Sequence, residues 1–221
     1  MSLLKVLGTL LVLALVGASL LILNYDRIYP AYAVRYRLTV TVLVDGTHHS
    51  GSSVVEIRVK TQPRLLDSPP WSFRVDGEAT FVDLGNGRNL VATLAPGPNK
   101  GLDATGILFR AFGIPFVVDR AADLTNVQGE KHLAPTDWPA FVTFRQTDKP
   151  LSIESVNPSS LDETLGTNVR IEDVTLTITR DAVTRNLAQN LRWLASPLDI
   201  QDTIALAKRH FGRRDFIRSD L

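Results

Sequence analysis

Hydrophobic positions follow two regimes along this chain. Val6–Leu23 is an apolar run without a charge, VLGTLLVLALVGASLLIL. Beyond it, apolar residues recur at strand and helix periods. A helix over the run reaches roughly 27 Å at ~1.5 Å per residue, against a hydrocarbon core of about 30 Å. Tyr25 and Tyr29 follow, where amphipathic rings favour a membrane interface. Residues 1–30 are therefore expected to form a transmembrane anchor with its interface, and residues 31–221 a separate globular domain.

The domain opens on its clearest pattern. Val34, Tyr36, Leu38, Val40, Val42 and Val44 alternate with Arg35, Arg37, Thr39 and Thr41, as in a strand with one buried face. Asp45-Gly46 marks a turn. Val55, Ile57 and Val59, alternating with Glu56, Arg58 and Lys60, predict the returning strand. Pro63, Pro69 and Pro70 predict a loop over 61–71. A second hairpin is expected over 78–94, turning at Gly85-Asn86-Gly87, followed by a loop over 95–101. The pattern then predicts a short helix over 104–112, a buried apolar stretch over 116–118, and short strands over 141–144 and 151–156. Asn157 and Pro158 open a predicted helix that Gly166 ends. A strand is expected over 169–179. Residues 181–194 read as the best helix of the domain, with Val183, Leu187, Leu191 and Leu194 on one stripe. A last helix is expected over 199–211. Strands first and helices last predict an α+β fold: an N-terminal transmembrane helix, a mainly antiparallel β domain, and helices toward the C-terminus.

Composition narrows the function classes. A formal net charge of +1 provides no global field for nucleic acid, and no nucleic-acid partner is expected. The absence of cysteine excludes disulfides, thiolate metal sites and cysteine nucleophiles. The competing reading of the apolar run is a cleaved signal peptide. Lys5 supplies a charged start and Ala31-Tyr32-Ala33 has the form of a cleavage site, but hydrophobic regions of signal peptides span about 7–15 residues. An uncleaved signal-anchor is the favoured reading. Arg27, Arg35 and Arg37 outnumber Lys5 and pull the positive-inside count the other way. Even so, a short N-terminal tail favours a single-pass inner-membrane protein whose domain faces the periplasm.

Candidate chemistry is sparse. His48-His49 falls in the loop region of the first hairpin and reads as solvated, because adjacent strand positions point oppositely; His132 and His210 are isolated. Gly85-Asn86-Gly87 lacks the third glycine and following helix of a dinucleotide site. Glu56, Glu78 and Asp83 are strand carboxylates, of which two in one cleft could act as an acid–base pair. No Gly-x-Ser-x-Gly elbow occurs, and Asp173 and Asp181 flank a strand without a calcium-loop pattern. The basic stretch KRHFGRRDFIR near the C-terminus reads as a solvated tail. Phe109, Phe112 and Phe116 read as core, or as the lining of an apolar cavity. No catalytic, cofactor-binding or metal residue is assigned, and no cofactor is implied.

Three segments together, YRLTVTVLVDGTHHSGSSVVEIR behind an apolar helix, GEATFVDLGNGRNLVATL and VTLTITRDAVTRNLAQNLRWL, resemble a group of short single-anchor proteobacterial membrane proteins without an assigned activity. The resemblance implies the anchor-plus-β-domain layout and adds no site residue. The expected function is a membrane-anchored, non-catalytic cell-envelope module that binds a protein or envelope partner through its sheet or an exposed edge. The alternatives are an envelope-acting hydrolase using carboxylates in a cleft, and a small-molecule carrier with an apolar cavity.

Overall fold

The structure, a computed structural model, describes residues 3–63, 70–96, 103–115, 118–166 and 168–219. Helix α1 (Leu3–Leu23) contains a window, Val6–Leu23, long and apolar enough to cross a membrane or to serve as a signal sequence, and none of that window is buried by the domain. Asn24 alone separates it from the single turn α2 (Tyr25–Ile28). The Asn24 amide and side chain both donate to Leu20 O, and its own carbonyl accepts from Arg27 and Ile28. The helical path is therefore continued up to the first strand.

The described strands are β1 (Ala31–Val44), β2 (Thr47–Thr61), β3 (Trp71–Glu78), β4 (Thr80–Gly85), β5 (Arg88–Ala92), β6 (Glu130–His132), β7 (Phe141–Phe144), β8 (Ile153–Val156), β9 (Val169–Thr179) and β10 (Ile217–Ser219). Helices α3 (Ala104–Ala111), α4 (Asp162–Leu165), α5 (Leu187–Asn190) and α6 (Ile200–Lys208) join them, with a 3-10 helix at Val118–Asn126. One sheet has the order β10-β3-β2-β1-β9-β6, the other β4-β5-β7-β8. The described pairings are antiparallel, so the fold is mixed α+β. The β1–β2 hairpin turns on Asp45 and Gly46, both left-handed (φ 49° and 83°), as a two-residue turn matched to strand twist requires.

Alternation decides the layers. From Val34 to Val44 every second residue of β1 is buried, facing Val82 and Leu84 of β4, Leu90 and Ala92 of β5, and helix α3. The smaller sheet buries its reverse face too: Val91, Val142, Phe144 and Ile153 pack under Leu187, Leu191, Trp193, Leu206 and Phe216. The stack is thus large sheet, small sheet, C-terminal segment. Where β2 crosses β4, a Cβ on Gly51 would lie 2.0 Å from the Phe81 carbonyl oxygen, so only glycine permits that approach. Tyr36 is buried and its hydroxyl donates to Ala104 O at 2.9 Å, which fixes α3 on β1.

Several expectations are corrected. Residues 181–194 do not form one helix. Only Leu187–Asn190 is α-helical, followed by a 3-10 turn at Arg192–Ala195, because residues 181–187 spend their hydrogen-bonding groups on the large sheet. Residues 157–161 turn before the helix begins at Asp162. Glu78 closes β3 rather than opening β4. Strands β3, β6 and β10 have no counterpart among the expected elements. The loops expected over 61–71 and 95–101 lie largely outside the described residues, as does Phe116.

Candidate functional site

Charge concentrates on the outer face of the large sheet. Register sets Arg35 opposite Glu56, and Glu56 opposite Asp76, across β1, β2 and β3. Glu56 is buried, and both its oxygens are held: Arg35 Nε donates to Oε2 and Arg58 Nη2 to Oε1, each at 2.7 Å. Desolvation pushes the Glu56 pKa up, but the hydrogen bonds and charges of the two guanidinium groups outweigh it and hold the carboxyl below its ordinary value. Asp76 is also buried and accepts Arg185 Nη2 on both oxygens. Glu78 is the third buried carboxylate here and accepts the Leu187 N–H at 2.7 Å.

A strap of chain after β9 supplies several of these partners. Thr184 Oγ1 accepts from Val54 N at 2.8 Å, and Thr184 N donates to Val54 O at 3.1 Å, so the strap extends the sheet where β3 turns away. Asp181 accepts from the Thr179 hydroxyl at 2.7 Å and from Arg37 Nη2 at 2.6 Å, and these two hold its pKa below the ordinary carboxylate value. Buried carboxylates that keep their charge need such partners. This requirement explains why the segment is not helical.

Between this face and residues 124–129 lies an open groove of about 610 Å³, lined by Ala33, Arg35, Glu56, Gln128, Thr179 and Arg180 among others. Glu56 lines the groove; Glu78 and Asp83 do not. Asp83 is exposed on β4, where its Oδ1 accepts from Gly85 N at 2.9 Å. The three carboxylates therefore do not share one concavity. Phe109 is part of the filled core and meets Phe73 edge-on. Phe112 borders a separate open groove of about 320 Å³ with Ile114, Pro115 and Val127.

The histidines are placed differently from the expectation. His48 and His49 lie on β2 rather than in a loop, since the two-residue turn at Asp45-Gly46 lets the ladder run to Thr47. His48 Nε2 lies 2.6 Å from Glu172, and His49 Nδ1 2.9 Å from Asp83 O. His132 Nδ1 bonds Asp173 at 2.9 Å, and that hydrogen bond and charge raise the His132 pKa. His210 is left-handed (φ 64°) just beyond α6, a helix-stop position. Among the described residues no three of His, Asp and Glu converge as metal ligands.

The basic C-terminal stretch is folded, contrary to its reading as a solvated tail. Arg209 donates to Ile153 O and Arg213 to Leu194 O. Phe216 is fully buried, and β10 pairs with β3. This arrangement leaves an apolar patch. Outside α1 and α2, the exposed large hydrophobic residues among those described are Leu151, Ile200 and Ile204. Ile200 and Ile204 are one helical turn apart on α6, which packs on the 3-10 turn holding Leu151. An apolar cleft of about 220 Å³ adjoins them, lined by Pro197, Leu198, Thr203, Leu206, Gly212 and Arg213. The 199–211 periodicity marked the helix, but only tertiary placement shows which of its apolar positions stay uncovered.

No family model matches the chain, and no curated protein or solved structure is significantly similar to it.

Proposed function

We propose that this protein is a single-pass, non-catalytic module of the cell envelope, anchored by α1 in the inner membrane with its domain in the periplasm, where it binds a protein partner. The observation that carries the reading is the exposed Leu151, Ile200 and Ile204 cluster beside an apolar cleft. A soluble surface seldom gathers its exposed large hydrophobic residues in one place without a contact to make there. The non-catalytic part is supported by the carboxylates: Glu56, Asp76 and Glu78 are each held by a guanidinium or a backbone N–H, as structural groups are.

The hydrolase alternative draws on Glu56 in its groove, where a general acid would need a free oxygen and a raised pKa. Both oxygens are engaged and the pKa is lowered. The test places a photo-crosslinker at Ser196, beside the cleft. The module reading expects one recurrent protein adduct that disappears in Ile200→Ser/Ile204→Ser while the fold persists. Adducts indifferent to those substitutions, or envelope hydrolysis abolished by Glu56→Gln, would overturn it. A reporter fused after Leu221 and active only outside the cytoplasm tests the orientation.

A further inference from the structure

We propose that the anchor-proximal end of the large sheet seats anionic lipid headgroups of the membrane that holds α1. The inference rests on α1 being an uncleaved anchor. It goes beyond partner binding at α6 and uses a different surface.

Tether length supplies the first argument. Eight residues lead from Leu23 to Ala31, under about 30 Å even if fully extended, and the turn of α2 shortens this. The tether is also fastened to the sheet. Lys60 Nζ lies 3.6 Å from Asp26 Oδ1 and 5.1 Å from the centre of the Tyr25 ring, and Thr61 donates to Pro30 O through both its amide and its hydroxyl. The start of β1, the end of β2, the start of β3 and the end of β9 share this end of the sheet. It is therefore held close to the headgroup layer.

Charge supplies the second argument. Arg58 and Arg74 are direct cross-strand partners, and like charges in that position repel. Arg58 shares the single carboxylate of Glu56 with Arg35. Arg74 and Arg180 are exposed and have no acidic partner among the described residues. With Arg27 and Lys60, and with Arg185 on Asp76 and Arg37 on Asp181, eight cations among the described residues stand at this end against Asp26, Glu56, Asp76 and Asp181. Strands about 5 Å apart carry the Arg58 and Arg74 forks at a spacing that one phosphate can bridge. An anion lying over them relieves the repulsion that the fold leaves in place.

Aromatic placement supplies the third. Tyr25 and Tyr29 have ring centres 5.1 Å apart beside the anchor, and the partly buried Trp71 packs at a tilt against Phe73 at the start of β3. Tyrosine and tryptophan beside Arg and Lys, at the end of an apolar helix, are the side chains that settle at headgroup depth. The tether selects lipid phosphate over a free anion, because it keeps this surface at the bilayer permanently and a Debye length of about 8–10 Å confines the attraction to that layer.

The chain lacks cysteine, so a fluorophore can be placed at Ser72→Cys, opposite Lys60 in register, or at Thr47→Cys at the far hairpin end. The full chain is reconstituted in vesicles carrying a headgroup-nitroxide quencher, with or without phosphatidylglycerol. Quenching at position 72 is expected to rise with phosphatidylglycerol and fall at high salt, while the label at 47 does not respond. Arg74→Ser/Arg180→Ser is expected to lower the docked-to-undocked ratio by roughly 25-fold, at about fivefold per cation, and Arg74→Lys/Arg180→Lys to restore most of it. Equal quenching in phosphatidylcholine vesicles, or no change in the serine variant, overturns the proposal. Loss of the response to inorganic phosphate at the same concentration as the lipid reassigns the surface to a soluble anion and overturns it too. Carbonate extraction separates the two readings: a chain that washes off fails as an anchored protein, and one that stays embedded without a position-72 response fails this proposal alone.

Discussion

The two sheets solve burial in opposite ways. The large sheet keeps one apolar and one charged face, and covers parts of its charged face with ion pairs: Glu56 under Arg35 and Arg58, and Asp76 under Arg185. The small sheet is apolar on both faces, one against β1 and the other under Phe216, Trp193 and Leu187. Thr80, Asn89 and Thr143 are its buried polar residues among those described, and Asn89 accepts from Phe144 N at 3.0 Å while donating to Phe144 O at 2.8 Å. In that way its side chain prolongs the β5–β7 ladder. Stability in the small sheet is thus a matter of packing and complete hydrogen bonding. On the outer face of the large sheet it is a matter of charge balance.

The largest effect is expected where packing rules. Phe144 is nearly fully buried and contacts the rings of Trp193 and Phe216, so Phe144→Ala should cost about 3–5 kcal/mol in urea unfolding. A cost below that of a surface substitution would show that the C-terminal layer is not integral to the core. Next, Asn89→Ala strands the Phe144 N–H and C=O and should cost a few kcal/mol, from two buried groups orphaned at about 1–3 kcal/mol each. Thermal melts that barely move would mean the ladder closes without Asn89.

On the charged face the order of partners matters. Arg35→Ala/Arg58→Ala leaves a buried carboxylate unpaired and should cost about 2–4 kcal/mol. Glu56→Gln leaves two half-exposed guanidinium groups that water can solvate, and should cost only about 1–2 kcal/mol. Equal costs would show that Glu56 is far more hydrated than its burial implies. Because the folded Glu56 pKa lies below its ordinary 4.5, its contribution is complete above that value and is lost as pH falls through the folded pKa. Denaturation midpoints measured from neutral to acid pH should fall less steeply in Glu56→Gln than in the parent. The smallest effect belongs to an uncommitted position on the same face: Thr175→Ala, half-exposed on β9, should change stability by less than about 0.5 kcal/mol.

The same contrast explains what could be read from the chain. A sheet with one wet face writes alternation into its sequence, and β1, β2 and β9 were legible for that reason. A strand buried on both faces reads as a short apolar run, so β7, FVTF, had recognisable strand character but an invisible place in the order. β6 and β10, three residues each, were missed because they owe their strand state to a neighbour's open edge, whereas β3 carries the alternation of Trp71, Phe73 and Val75 against Ser72, Arg74 and Asp76 and was overlooked behind the proline-rich stretch before it. The 181–194 stripe misled because Val183, Leu187, Leu191 and Leu194 satisfy helical spacing, while Thr184, Arg185 and the Leu187 amide bond to β2 and β3. Local propensity yielded to tertiary hydrogen bonds. Of the site residues, Glu56 was visible as a strand carboxylate. Its two arginines were visible only as alternating cations.

By itself the sequence determined the apolar helix, the long hairpin on Asp45-Gly46, the α+β class and the lack of thiol chemistry. These follow from local rules: length against a membrane, period against a pleat, composition. The tertiary structure alone decided that Arg58 faces Arg74, that Arg185 reaches Asp76 across more than a hundred residues, and that Ile200 and Ile204 stay uncovered. Each depends on which distant segment takes the neighbouring position in space, a choice made by burial and charge over the whole domain rather than within any stretch of it.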